Sequence, residues 1–246
     1  MDRGLYDRRR KNIGEKIMKR SEINAIINNA IKLAKEKGFL LPPFAYWTPE
    51  EIMSKGAEYD EFFDNKLGWD ITDFGKGDFR KYGLTMVTIR NGNYYNEKYI
   101  KPYAEKILIA QEGQITPYHY HAKKMEDIIN RGGGNLIVKM YNSVSPKEFA
   151  DTDVMVTKDG RSYFVKAGEE VCVAPGESIT LHPGVFHCFW AEVGKGPVLL
   201  GEVSMVNDDY SDNYFYDEIG RFPTIEEDEK AEYLLSDEYD KWRKKL

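Results

Sequence analysis

Near the start of the chain, apolar residues recur at helical spacing. Ile23, Ile26, Ile27, Ala30, Ile31 and Ala34 form one stripe. The spacing predicts a helix over 21–37, with Ser21 as its N-cap and Gly38 at its end. Leu40 to Phe44, carrying Pro42 and Pro43, reads as a stiff connector. Thr48-Pro49-Glu50-Glu51 supplies a cap, a first-turn proline and acids at the positive dipole end, and so starts a second helix. Residues 55–80 are aromatic, Gly- and Asp-rich, and read mostly as loop. From about residue 83 the period shortens. β-rich runs follow one another at Leu84–Arg90, Lys106–Gln111, Ile115–His121, Asp127–Arg131, Leu136–Tyr141, Val154–Thr157, Ser162–Lys166, Glu170–Val173, Ser178–Leu181, Phe186–Ala191 and Val198–Met205. Glycine-bearing turns separate them, such as Asn91-Gly92-Asn93, Gly132-Gly133-Gly134 and Pro175-Gly176. Many closely spaced short strands mean a sandwich or a small barrel, and the lack of interleaved helices disfavours a parallel α/β sheet. The tail, 217–246, turns acidic and then helical; the run Glu226–Glu229 reads as a helix start.

Composition narrows the class. A chain of 246 residues buries enough surface to need no staples. With 41% hydrophobic and 13% aromatic residues it is not a disordered chain. No apolar run approaches the ~18 residues of a membrane span. A formal net charge of −6 argues against nucleic acid as a partner. The first twenty residues are locally basic, but Asp2, Asp7 and Glu15 interrupt them. They read as a solvated arm or helix face, and they hold no apolar core of a secretory signal. The expected compartment is the cytoplasm. Cys172 and Cys188 each sit in an apolar strand-like run, and are expected to be buried free thiols.

There are four histidines, and three of them suit a metal. His119 and His121 are two apart on a strand, so both imidazoles leave one face. Glu126 follows a short turn, and His187 can close the set from a neighbouring strand. Three imidazoles and a carboxylate on an octahedral ion leave two adjacent positions open, which suits Mn²⁺ or Fe²⁺. A lone H-x-H pair equally suits a polar, half-exposed strand.

The glycines around these residues carry a resemblance. Gly113, His119, His121, Glu126 and Gly133 stand at the spacing of the first cupin motif. Gly176, Pro183, Gly184 and His187 resemble the second, with His182 where the family usually has proline and Ala191 in place of its usual asparagine. Further stretches resemble the D-lyxose isomerases: Lys106 to Gln114, Glu202 to Asp209, Asp212-Asn213 and Gly220 to Glu229. The resemblance implies a mainly β fold, a cupin double-stranded β-helix (jelly-roll barrel) with N-terminal helices and a short C-terminal helix. The expected layout is one structural domain: a helical segment over 1–82 packed on the barrel, the barrel over 83–216, and an acidic tail over 217–246. The implied activity is interconversion of D-lyxose with D-xylulose, and of D-mannose with D-fructose, using Mn²⁺ or another divalent ion such as Fe²⁺ or Co²⁺.

The expected metal ligands are His119, His121, Glu126 and His187. The expected catalytic groups are Lys106, on an apolar strand with Leu108 and Ala110, and Glu218, with Asp217, Glu202 and Glu226 as competitors. Desolvation and a nearby cation both push a lysine toward a usable acid–base range. Trp69 and Arg221 are the candidate sugar contacts, and His182 is left outside the metal set. The expected partner is a small sugar, with no nucleic acid and no membrane, in a homodimer whose sheet edges pair. The rival readings are an Fe²⁺ cupin dioxygenase, which would leave Lys106 without a task; a phosphosugar isomerase, for which no compact phosphate cradle is visible; and a non-enzymatic sugar-binding cupin.

Overall fold

A computed structural model describes residues 17–208, 211–220 and 224–243. The described strands are β1 (Ile17–Lys19), β2 (Gly68–Thr72), β3 (Leu84–Arg90), β4 (Tyr103–Ala110), β5 (Thr116–His121), β6 (Glu126–Gly133), β7 (Leu136–Ser145), β8 (Glu148–Phe149), β9 (Val154–Lys158), β10 (Arg161–Val165), β11 (Glu170–Val173), β12 (Ser178–Leu181), β13 (Val185–Ala191), β14 (Val198–Met205), β15 (Asn213–Phe215) and β16 (Thr224–Glu226). The helices are α1 (Arg20–Glu36), α2 (Pro49–Met53), α3 (Asp60–Asp64) and α4 (Tyr239–Arg243).

Two antiparallel sheets face each other as the jelly-roll expectation requires. The larger runs β10-β9-β12-β6-β14-β4-β3-β2, and the smaller β11-β7-β13-β5-β15. Period-two alternation sends one row of each strand between the sheets. Leu108 and Ala110 of β4, Ile128 of β6, Val138 and Met140 of β7, Phe189 of β13 and Leu200 of β14 form that core. The intervening residues Ile107 and Ile109 of β4 and Leu199 of β14 face outward, where Ile23, Ile27 and Ala30 of α1 cover them. Where α1 covers β4 and β14 the large sheet is thus buried on both faces, as the continuous apolar runs Ile107–Ala110 and Val198–Leu200 reflect.

Several expectations give way. Residues 55–80 are not mostly loop, because they hold α3 and the inner edge strand β2, which pairs with β3 from Gly68↔Thr88 to Thr72↔Leu84. Every β2 residue is buried, and its alternation of Trp69 and Ile71 with Asp70 and Thr72 spans only five residues inside an aromatic, Gly- and Asp-rich stretch. Ser21 is not the N-cap of α1, a position held by Lys19. Its N–H and hydroxyl instead donate to Asp228 at 2.9 and 2.7 Å. The acidic run Glu226–Glu229 therefore serves the positive end of α1 rather than starting a helix of its own. β16 pairs in parallel with β1 and delivers it there. Both cysteines are free, but only Cys188 is buried; Cys172 is exposed because it points outward from the edge strand β11. Among the described residues, no helix is long and apolar enough to cross a membrane.

Candidate active site

The two histidine-bearing strands lie side by side. β5 and β13 pair antiparallel with His119 and His187 as Cα partners. Both rings are fixed from behind. His119 Nδ1 donates to the carbonyl of Pro117 at 2.8 Å, and His187 Nδ1 to that of Val185 at 3.0 Å. A carbonyl only accepts, so each Nδ1 carries a proton and each Nε2 is left to face inward. The two Nε2 atoms stand 3.1 Å apart. Burial, and then the neighbouring His187 and His121, push the pKa of His119 well below the usual imidazole value. His119 is therefore neutral and presents a lone pair. Contact at this distance is stable only with a proton or a cation between the nitrogens.

His121 adds a third donor. Both its ring nitrogens are buried, and among the described residues neither has a hydrogen-bond partner. An orphaned buried imidazole is costly unless a ligand completes it. The ligand atoms of His119, His121 and His187 all lie within 4.8 Å of one another. Glu126, the first residue of β6, closes the group: its Oε2 is 3.4 Å from His121 Nε2 and its Oε1 is 3.4 Å from His187 Nε2. Burial opposes ionisation of Glu126, but the Lys124 ammonium and His121 outweigh it and hold the carboxyl well below its usual range. Three imidazoles beside an ionised carboxylate are the donor set a divalent cation of the Mn²⁺, Fe²⁺ or Co²⁺ kind takes. All four expected ligands are brought together.

A second polar group adjoins the first. Lys106 on β4 and Glu202 on β14 are Cα partners, both buried. Lys106 Nζ donates to Asn207 Oδ1 at 2.7 Å and lies 3.3 Å from Glu202 Oε1. Lys124, in the β5–β6 turn, reaches into the same group: its Nζ is 2.6 Å from Glu126 Oε2 and 3.1 Å from Glu202 Oε1. The Asp212 carboxylate holds that turn by accepting from the backbone N–H groups of Lys123 and Lys124 at 2.9 and 2.8 Å. Phe215 stacks on His119 with ring centroids 5.1 Å apart. Next to Lys106 lies a cavity of about 220 Å³, walled in part by Asp70, Met86, Thr88 and Asn207.

The remaining candidates fall elsewhere. Glu218 is exposed, in the segment that follows β15, and the buried carboxylate beside Lys106 is Glu202. Trp69 does not line the polar interior. Alternation along β2 turns it to the outer face of the large sheet, where it packs with α1 and its indole N–H donates to Ala45 O at 2.8 Å. Arg221 lies outside the described residues. His182 stands outside the metal group, its Nε2 3.5 Å from Thr157 Oγ1. Lys124 and Asp212, which the structure adds to this polar group, were not singled out as site residues in the sequence. Polar residues in a turn give no periodic signal, whereas Lys106 and Glu202 interrupt apolar strands.

A family model described as D-lyxose isomerase matches residues 18–239. The chain belongs to the D-lyxose isomerase family. It is an aldose–ketose isomerase. The D-lyxose/D-mannose isomerase of Escherichia coli O157:H7 is 47% identical over 227 residues, covering 92% of this chain and 100% of that one. The D-lyxose/D-mannose isomerase of Serratia proteamaculans is 47% identical over 223 residues, covering 90% and 98%. Among solved structures, the L-ribose isomerase of Acinetobacter sp. DL28 in complex with L-ribose matches with a TM-score of 0.56 at 14% identity, covering 86% of this chain and 99% of that one. At that identity the likeness is one of fold.

Proposed function

We propose that this isomerase interconverts D-lyxose with D-xylulose, and D-mannose with D-fructose, with a divalent cation held by His119, His121, Glu126 and His187. Mn²⁺ is the first choice of ion, with Fe²⁺ and Co²⁺ as alternatives. The observation that carries the reading is the pair of inward Nε2 atoms 3.1 Å apart, set beside a buried Lys106–Glu202 pair. When bound, such a cation supplies Lewis-acid polarisation of the sugar's O1 and O2.

The chain's own residues handle the protons. Isomerisation moves one proton between C2 and C1 and another between O1 and O2. Lys106 and Glu202 form the acid–base pair for these transfers, Glu202 taking the role expected of Glu218. Asn207 fixes the Lys106 ammonium by accepting its hydrogen bond, so the amine is aimed before substrate arrives. Asp70, Thr88 and Asn207 offer polar groups to sugar hydroxyls in the adjoining cavity. The apolar rows on either side exclude water from the exchangeable proton. A dioxygenase of the same fold would have no use for the buried Lys106–Glu202 pair, which favours the isomerase.

The test is incubation with D-lyxose and Mn²⁺ in D₂O. D-Xylulose carrying deuterium at C1 is the expected product. No ketose would sink the substrate assignment, and unlabelled ketose would replace proton transfer by a hydride shift. The same reading puts a homodimer in the cytoplasm, with the open edges of β10 and β11 available for pairing. Sedimentation of the purified protein tests the dimer.

A further inference from the structure

Lys124 is not explained by the reaction above. It is almost fully buried, at 4% exposure, in a turn where lysines ordinarily reach solvent. Its ammonium sits between two carboxylates with different tasks, 2.6 Å from Glu126 Oε2 and 3.1 Å from Glu202 Oε1. Asn207 Oδ1, the acceptor of Lys106, lies 3.4 Å away. The backbone beneath it is held by Asp212, which accepts from the N–H groups of Lys123 and Lys124. Two carboxylates, Glu126 and Glu202, face two ammonium groups, Lys106 and Lys124, so the buried charges balance before any cation arrives. A divalent ion then enters beside a fixed positive charge that already occupies an oxygen of one of its ligands. Like charges at this spacing in a buried site repel strongly.

We infer that Lys124 is a positioning residue that bridges Glu126 to Glu202 and loosens the site's hold on its divalent cation. The inference rests on the metal site proposed above. The ammonium takes part of the electron density of Glu126 that a cation would otherwise have to itself. It also keeps Glu202 turned toward Lys106. Removing the charge therefore has opposite consequences for the two groups: the cation binds more tightly, and the acid–base pair works less well.

The experiment is titration of the purified full chain with Mn²⁺ alone and with Co²⁺ alone, followed by calorimetry, for the wild type, Lys124→Met and Lys124→Arg. The expected result for Lys124→Met is at least tenfold tighter binding of both ions together with a lower kcat in the Mn²⁺-loaded enzyme. Lys124→Arg, which keeps the charge, stays within about threefold of the wild-type affinity. A lysine that only shapes the turn gives unchanged or weaker binding in Lys124→Met, and that result overturns the inference. Tenfold tightening in Lys124→Arg overturns it too, whether or not the Met variant folds. A wild-type chain that binds neither ion overturns the metal reading itself, which separates the two failures.

Discussion

His119 and His187 each commit Nδ1 to a carbonyl two residues back, so their inward nitrogens are set by the strands that carry them. Truncating either leaves the other without its counterpart. His187→Ala is expected to abolish bound metal and turnover together, read by elemental analysis of the dialysed protein alongside the rate. Lys106 lies on β4 of the other sheet, with β14 between it and the strand of Glu126. Lys106→Ala should therefore retain the metal while turnover falls by about 10²-fold or more, and a wild-type rate in that variant refutes its acid–base role. The imidazoles also set a pH dependence in the metal-free protein. His119 and His121 both titrate below the ordinary imidazole value of 6.5, chiefly through burial. The unfolded chain then binds more protons than the folded one as pH drops through that value, so stability is lost below it and is level above. Glu126, depressed below 4.5, adds a loss in the same direction at still lower pH. Urea midpoints of the metal-free chain should fall between pH 7 and 5, and added Mn²⁺ should raise the midpoint at pH 7. The H-x-H alternation and the polar break at Lys106 made these residues legible in the sequence. Glu202 was legible only as one competitor among several, because nothing local says which polar residue of one strand meets which of another; that pairing is a property of β4 and β14 in register.

At the scale of elements, strands bounded by glycine turns were read well. β3, β11, β12 and β14 run where alternation and turn residues put them. Short strands were not: β2 alternates over only five residues, and β1, β15 and β16 are three residues each, held by pairing rather than by pattern. The ties between α1 and the tail were likewise invisible, since they join residues some two hundred positions apart. Arg20, fully buried, donates to Glu227 at 2.7 Å and also to Glu238. Burial opposes the charge of Arg20, but these two carboxylates outweigh it and raise its pKa further. Asn24 adds bonds to Glu229 and to the carbonyl of Lys230. Arg20→Met removes one member of this buried set and leaves Glu238 without its counter-charge, a loss of about 3–5 kcal/mol. The change is expected in the urea midpoint of a single shared transition, because α1 covers the outer face of the barrel and shares its core. A separate early transition for α1 and the tail would show that they form a unit of their own.

For the whole molecule, the problem is closing the barrel where the sheets end. β2 ends one sheet and β15 the other. The chain after each edge strand supplies the closure: Phe74, following β2, meets Phe215 of β15 with ring centroids 5.9 Å apart, and Lys76 pairs with Asp217 at 3.1 Å. Phe215 in turn stacks on His119, so this seam bears directly on the metal group. The approach is made at Gly75, whose φ of +66° belongs to the left-handed region and whose missing Cβ would stand 2.5 Å from the backbone nitrogen of Gly220. Gly75→Ala therefore meets both a strained backbone and a clash that no side chain can relieve, at about 1–3 kcal/mol. The two segments can escape only by separating, and separation draws Phe74 off Phe215 and loosens the packing over His119. None of the four proposed ligands is moved along its own strand, so the chain should still bind Mn²⁺. Turnover should fall, because the face of the site covered by Phe215 becomes open to water. Wild-type kcat in a Gly75→Ala protein with a lowered urea midpoint would show that the seam stabilises the barrel without shielding the chemistry.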